Sequence, residues 1–242
     1  MEDKVVWFLV CCCFCIKGVL GQTPGSPVKD IDGNVERTTF RPIPSKRISL
    51  TEAWLIFICL GALSIYLLTL TNINTMLVSI LFAILIVIYP LTKRFFIGPQ
   101  LFLGLTFNPT VIVYAMTEEL SNPTMGYLFF AIASQTIAFD SFYGLCDEKD
   151  DRDLKINSTP IWWGKNTLKI IACFQISSIL LLGTIGLIDK LELIWFASLI
   201  MLGGFFLYQQ KLASEKKYLE AFKNNHWANL LILITAIFCY VA

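Results

Sequence analysis

Charge is scarce in this chain. Of 242 residues, 19 are Lys or Arg and 18 are Asp or Glu, together 15%. Soluble domains carry about a quarter, so this composition does not clothe a water-facing surface in the usual way. Histidine is scarcer still, with His226 alone. A single imidazole at the edge of the last apolar run suits a membrane interface better than catalysis, and it leaves a histidine-rich metal site without ligands. The eight cysteines form no zinc pattern with partner histidines. The tract Cys11, Cys12, Cys13, Cys15 lacks the partner His of a zinc site, and seven of the eight cysteines sit in apolar runs, where Cys behaves as a small hydrophobe. A net charge of only +1 gives no basic footprint for nucleic acid. Strict apolar–polar alternation is missing too, which excludes a transmembrane β-barrel. No internal repeat and no Arg-rich, acid-poor transit segment is visible.

What the chain has instead is oil. It is 56% hydrophobic, and the apolar residues fall into continuous runs at 5–20, 53–70, 75–91, 99–116, 124–142, 168–188, 191–208 and 227–242. A membrane span needs roughly 20 such residues, fewer where it is short or re-entrant. The expected fold is therefore all-α, a multi-spanning transmembrane helical bundle of about eight spans. The first run is short and interrupted by Lys17, and QTPGSP breaks the helix after it. With Gly21-Gln22 it could pass for a signal peptide, but Glu2, Asp3 and Lys17 count against that, and a short first span is preferred.

Cations are distributed on one side only. The first, third, fifth and seventh connections hold 16 Lys and Arg residues, and the second, fourth and sixth hold only Lys190. By the positive-inside rule the odd connections face the cytoplasm or the mitochondrial matrix.

On that side lies the most unusual stretch, residues 143–164, YGLCDEKDDRDLKINSTPIWWG. Asp147, Glu148, Asp150, Asp151 and Asp153 fall within seven residues. If the preceding apolar helix continues through them, Asp147 and Asp151 share a face at i and i+4, and Asp140 lies two turns earlier on nearly the same face. Such a stripe at a membrane surface can hold a divalent cation, and through it an anion such as diphosphate. A solvated loop is the plainer alternative. An ionisable Asp140 inside an apolar run is a functional candidate by default. Residues 29–48 put acids (Asp30, Asp32) before bases, and Arg37 and Arg41 can clamp phosphate oxygens; a solvated linker is equally compatible. In YPLTKRFFIGPQLFLGLTFN, Pro90 and Pro99 are expected to bracket a short turn holding Lys93 and Arg94, two cations suited to a departing diphosphate or simply to topology. Asn108, beside Pro109 within a run, must find a partner or line a cavity.

These motifs resemble the UbiA superfamily of membrane prenyltransferases, most closely the 4-hydroxybenzoate polyprenyltransferases of ubiquinone synthesis. The family's second aspartate motif, Y-x-x-x-D-x-x-D-D…S-T…F-G-x-N-T, is similar to Tyr143, Asp147, Asp150, Asp151, Ser158, Thr159, Gly164, Asn166 and Thr167. Lys155 stands where the family often has Gly, and Trp163 where it often has Phe. Lys93, Arg94, Gln100 and Asn108 look like the segment between two central helices, and Val35, Arg37, Thr38, Arg41, Pro42 and Ile43 like V-x-R-T-x-x-R-P-[IL]. The likeness runs from about Lys29 to the C-terminus, so residues 29–242 form the expected prenyltransferase domain and 1–28 an atypical N-terminal segment. The family's first motif, N-D-x-x-D-x-x-x-D, is replaced by Pro24, Gly25, Val28 and Asp32, so only the last acid is kept.

The resemblance implies Mg²⁺-dependent transfer of a polyprenyl group from polyprenyl diphosphate to the ring of 4-hydroxybenzoate. It implies metal ligation by Asp32, Asp147, Asp150 and Asp151, and chemistry at Asp147, Asp151, Lys93 and Arg94. Arg37, Arg41, Asn108, Asp140 and Tyr143 are the implied substrate contacts. The bilayer is the expected partner, in a bacterial inner membrane or alternatively the mitochondrial inner membrane. A non-catalytic family member lacking a full first motif, and a cation-coupled transporter, are the competing expectations.

Overall fold

The computed structural model describes Pro42, Ser45 and residues 47–241. The apolar run at 5–20 and the site candidates Asp32, Arg37 and Arg41 lie outside the described residues. Among the described residues there is helix and no strand: α1 Leu50–Leu68, α2 Ile73–Phe95, α3 Pro99–Thr106, α4 Thr110–Met116, α5 Pro123–Asp153, α6 Thr159–Trp163, α7 Thr167–Ile188, α8 Leu193–Ser214 and α9 Tyr218–Val241, with a 3-10 turn at Gly164–Asn166. Among them Leu50–Leu68, Pro123–Asp153, Thr159–Ile188 and Leu193–Ser214 are long and apolar enough to cross a membrane, and Ile73–Tyr89 is a shorter apolar segment. The all-α membrane bundle read from the sequence is what forms.

Two expectations about element boundaries are corrected. Lys93 and Arg94 do not sit in a turn between prolines: α2 runs through Pro90 and carries both cations in its last turn. Proline is tolerated inside membrane helices, where neighbouring groups satisfy the freed carbonyl. The run at 99–116 is not one span but α3 and α4, broken around Asn108-Pro109. Proline has no N–H and drives the residue before it out of helical geometry. Asn108 replaces the lost bonds: its Oδ1 accepts from the Thr110 N–H (3.2 Å) and hydroxyl (2.7 Å).

The chain divides into two compact units, one comprising Met1–Leu91 and Val111–Leu120, the other Thr92–Thr110 and Ser121–Ala242. In the first, Ser49 and Glu52 start α1 with a capping box, each accepting the other's backbone N–H. That arrangement satisfies two N–H groups with no partner inside the helix. Asn72 starts α2 by accepting from Thr75 N–H (2.8 Å), while its Nδ2 donates to the carbonyls of Ala115 (2.8 Å) and Met116 (3.2 Å) at the end of α4.

In the second unit α5 packs on α7 and α9, and α8 packs on the same two, so four long helices close a ring. Short connections at 189–192 and 215–217 make α7, α8 and α9 antiparallel neighbours. One apolar cluster joins Ala131, Leu182, Ile185, Trp195, Leu199, Leu202, Phe206 and Ala228. A second, nearer the acidic end of α5, joins Ala138, Phe142, Ile171, Leu212, Ala213 and Ala221. The outer faces stay apolar: Leu193, Ile200 and Leu207, two turns apart along α8, are 82%, 79% and 75% exposed. Such a stripe would be costly in water and is matched by lipid.

Candidate active site

The site is built at the C-terminal end of α5. At 31 residues this helix is about 46 Å long, against a hydrocarbon core of about 30 Å, so its acidic turns extend past the apolar layer. The helix does continue through the acidic stretch. Asp147 and Asp151 therefore lie one turn apart on one face, with side chains about 5–6 Å apart at their Cβ atoms. Both are partly buried. Their neighbours Glu148 and Arg152, about 100° further round the helix, neutralise each other in an i, i+4 ion pair at 2.7 Å. Asp147 and Asp150 stand within electrostatic reach of Asp151.

Lys93 answers it. Its ammonium attracts Asp151, while Asp147 and Asp150 repel that carboxylate. The backbone holds Lys93 in place: its carbonyl accepts the Asn157 N–H at 3.1 Å, tying the end of α2 to the loop that follows α5. Lys93 is partly buried and Arg94 exposed, as expected for successive residues about 100° apart on a helix. Of the two, Lys93 is the one within electrostatic reach of Asp151.

Helix α5 ends in a Schellman turn. Ile156 N–H bonds the Asp151 carbonyl (2.8 Å) and Lys155 N–H bonds that of Arg152 (3.2 Å). The turn requires a left-handed residue, and Lys155 supplies it at φ 53°. Glycine serves such positions without strain, which explains why the family often has Gly here.

The chain then enters α6 through Ser158 and Thr159, whose positions are set by buried side chains that sequence reasoning did not place in the site. Thr159 N–H donates to Gln100 Oε1 at 2.9 Å, and its hydroxyl pairs with Ser141 at 2.9 Å. Gln100, Ser141 and Thr159 are all buried. Gly144 allows this close packing, since a Cβ there would stand 3.1 Å from both Gln100 Nε2 and Pro160 Cγ. The one sequence-level signal was Gln100 itself, an amide inside an apolar run.

The remaining candidates are spread along α5. Asp140 is partly buried two turns before Asp147 on the same stripe. Tyr143, between them, lays its ring against Phe222 of α9 with centroids 4.9 Å apart, and Phe139 joins the same ring at 5.9 Å. Asn108 is not brought to the acids. It is 2% exposed, and its Nδ2 donates to the Phe129 carbonyl at 2.7 Å. Phe129 precedes Asp147 on α5 by about 27 Å, at about 1.5 Å of rise per residue.

Among the described residues no three acidic, histidine or cysteine side chains converge to cage a metal by themselves. A Mg²⁺ site does not need such a cage. Magnesium keeps several waters and takes one or two carboxylates plus substrate phosphates, and the Asp147–Asp151 pair is an all-oxygen donor set of that kind. The residues present fit the ion.

The family model of the UbiA prenyltransferase family matches residues 29–239. A 4-hydroxybenzoate octaprenyltransferase of Marinomonas sp. is 38% identical over 198 residues, 81% of this chain and 70% of that protein. One of Psychromonas ingrahamii is 36% identical over 210 residues, covering 84% and 72%. Among solved structures, a UbiA homologue from Aeropyrum pernix superposes with a TM-score of 0.77 at 20% identity, covering 98% of both chains. A homologue from Archaeoglobus fulgidus gives 0.60 at 17%, covering 97% and 94%. At those identities the solved structures speak for the fold alone.

Proposed function

Because the chain belongs to the UbiA prenyltransferase family, we propose that it transfers a polyprenyl group from polyprenyl diphosphate to the ring of 4-hydroxybenzoate, a step of ubiquinone biosynthesis. What supports this reading is the Asp147–Asp151 pair near the end of a helix long enough to cross a membrane, with Lys93 within electrostatic reach of Asp151. The named relatives, all 4-hydroxybenzoate octaprenyltransferases, support the choice of donor and acceptor.

Prenyltransferases of this family generally depend on a divalent metal, and here we take it to be Mg²⁺. Asp147 and Asp151 would hold the ion, with Asp150 beside them and Asp32 joining on the resemblance alone. Bound there, it would supply positive charge to the diphosphate.

The allylic C–O bond breaks and its electron pair leaves with the diphosphate. Lys93, preorganised against Asp151, stabilises the charge that builds on the departing oxygen. Arg37 and Arg41 are assigned to the diphosphate by sequence, and Arg94 contributes a more distant positive field. The ring carbon beside the acceptor's hydroxyl then bonds to the allylic carbon, and the ring proton is lost. Tyr143 and Asp140, on the acidic stripe of α5, are assigned to the acceptor side. Asn108 is assigned to support, holding the α3–α4 break against α5.

Water must be kept from an allylic cation, and a ring of apolar helices in lipid does so. The cation bias of the connections places the acidic end on the cytoplasmic face, in a bacterial inner membrane.

Membranes containing the chain, supplied with 4-hydroxybenzoate, polyprenyl diphosphate and Mg²⁺, should form the ring-prenylated acid and lose that activity when the cation is chelated. Prenylation of homogentisate in preference to 4-hydroxybenzoate would refute the acceptor assignment. Tight binding of diphosphate and cation without turnover would identify a non-catalytic relative.

A further inference from the structure

Ser158 occupies the N-cap of α6, in extended geometry at φ −151° and ψ 154°. A serine there ordinarily turns its hydroxyl back to accept from the helix's own N–H groups. This one does not: α6 has no side-chain cap. The hydroxyl is sealed in, with Ser158 1% exposed, and Oγ has no hydrogen-bond partner within 3.5 Å. A buried polar group left without a partner is a standing cost.

Its place is fixed from both sides. Asn157 N–H is held by the Lys93 carbonyl, and Thr159 by Gln100 and Ser141. The Ser158 backbone is thus held at both neighbours, and its hydroxyl lies near the Asp151 carboxylate without bonding it. The Asp151 side chain is only partly buried.

We propose that Ser158 is a positioning residue for Asp151. When the Asp151 carboxylate turns to bind a cation, the Ser158 hydroxyl donates to one of its oxygens and leaves the other directed at the ion. Ligating carboxylates are commonly held by such outer hydrogen bonds. This rests on the reading of Asp151 as a cation ligand, and it accounts for a buried hydroxyl that neither caps a helix nor joins the Gln100–Thr159–Ser141 set.

The test is Mn²⁺ binding to the full chain in detergent micelles with inorganic pyrophosphate present, followed by electron paramagnetic resonance. Wild type, Ser158→Ala, Ser158→Cys and Asp151→Asn are compared, each with its unfolding temperature. The expected result is weakening of Mn²⁺ binding by about tenfold or more in Ser158→Ala and Ser158→Cys, since a thiol is a poor donor. The unfolding temperature of Ser158→Ala should be unchanged or higher, because an unbonded buried hydroxyl has been removed.

If Asp151→Asn weakens binding while both Ser158 variants bind as wild type, this inference fails and the cation-site reading stands. If Asp151→Asn binds as wild type, both fail. A Ser158→Ala chain whose unfolding temperature drops together with its Mn²⁺ affinity would assign the residue to folding and overturn the proposal.

Discussion

Lys93 and Arg94 are adjacent and equally basic, yet the structure assigns them different work, which makes them a sharp pair to perturb. Lys93→Met keeps the apolar stem and removes the charge. The backbone carbonyl that holds Asn157 is untouched by the change, so the loop after α5 should keep its anchor. What is lost is a cation that attracts Asp151 and is partly shielded from water. Losing a preorganised group aimed at developing charge costs about 2.7–4 kcal/mol, or about 10²–10³ in kcat. Arg94 is exposed and turned about 100° away on the helix. Exposed charges are worth about 0–1 kcal/mol, and about 1.4 kcal/mol corresponds to tenfold. Arg94→Met should therefore lower kcat/KM by no more than about fivefold. Added salt should erase the Arg94 effect and leave most of the Lys93 effect. The assay is prenyl transfer by the purified full chain at saturating 4-hydroxybenzoate. Equal losses in the two variants, or a Lys93→Met chain within fivefold of wild type, would refute the reasoning.

Two further outcomes follow from the local geometry. Lys155→Gly relieves the left-handed backbone at φ 53° and should stabilise the chain by about 1 kcal/mol, read as a higher unfolding temperature in detergent. Gln100→Leu leaves the buried Thr159 N–H without its acceptor and should destabilise by about 1–3 kcal/mol, with activity falling as Thr159 and the neighbouring loop lose their fixed position.

Much of this molecule is legible in one dimension because its physics is local. Apolar run length and cation asymmetry are sums along the chain, and the i, i+4 spacing of Asp147 and Asp151 needs only a continuous helix. The misread boundaries involve proline, whose effect depends on solvent. Pro90 reads as a helix end by rules drawn from water, whereas a membrane helix carries on to Phe95. At Asn108-Pro109 the break does occur, because an amide was present to re-satisfy the backbone. The Gln100–Thr159–Ser141 set joins residues 59 and 18 positions apart, and no periodicity reports such a pairing. The asymmetry between Lys93 and Arg94 is similarly invisible in the sequence, since a short turn between prolines gives no helical phase, whereas in the last turn of α2 the two lie about 100° apart. The left-handed Lys155 left a trace only as a departure from the family's usual Gly.

The most direct test of the central claim is prenyl transfer from polyprenyl diphosphate to 4-hydroxybenzoate by the purified chain, with and without Asp151→Asn. The account expects product from the wild type in the presence of Mg²⁺, and a loss of at least about 10²-fold in the variant, with the helical fold retained by circular dichroism. An Asp151→Asn chain that prenylates 4-hydroxybenzoate at the wild-type rate would contradict it.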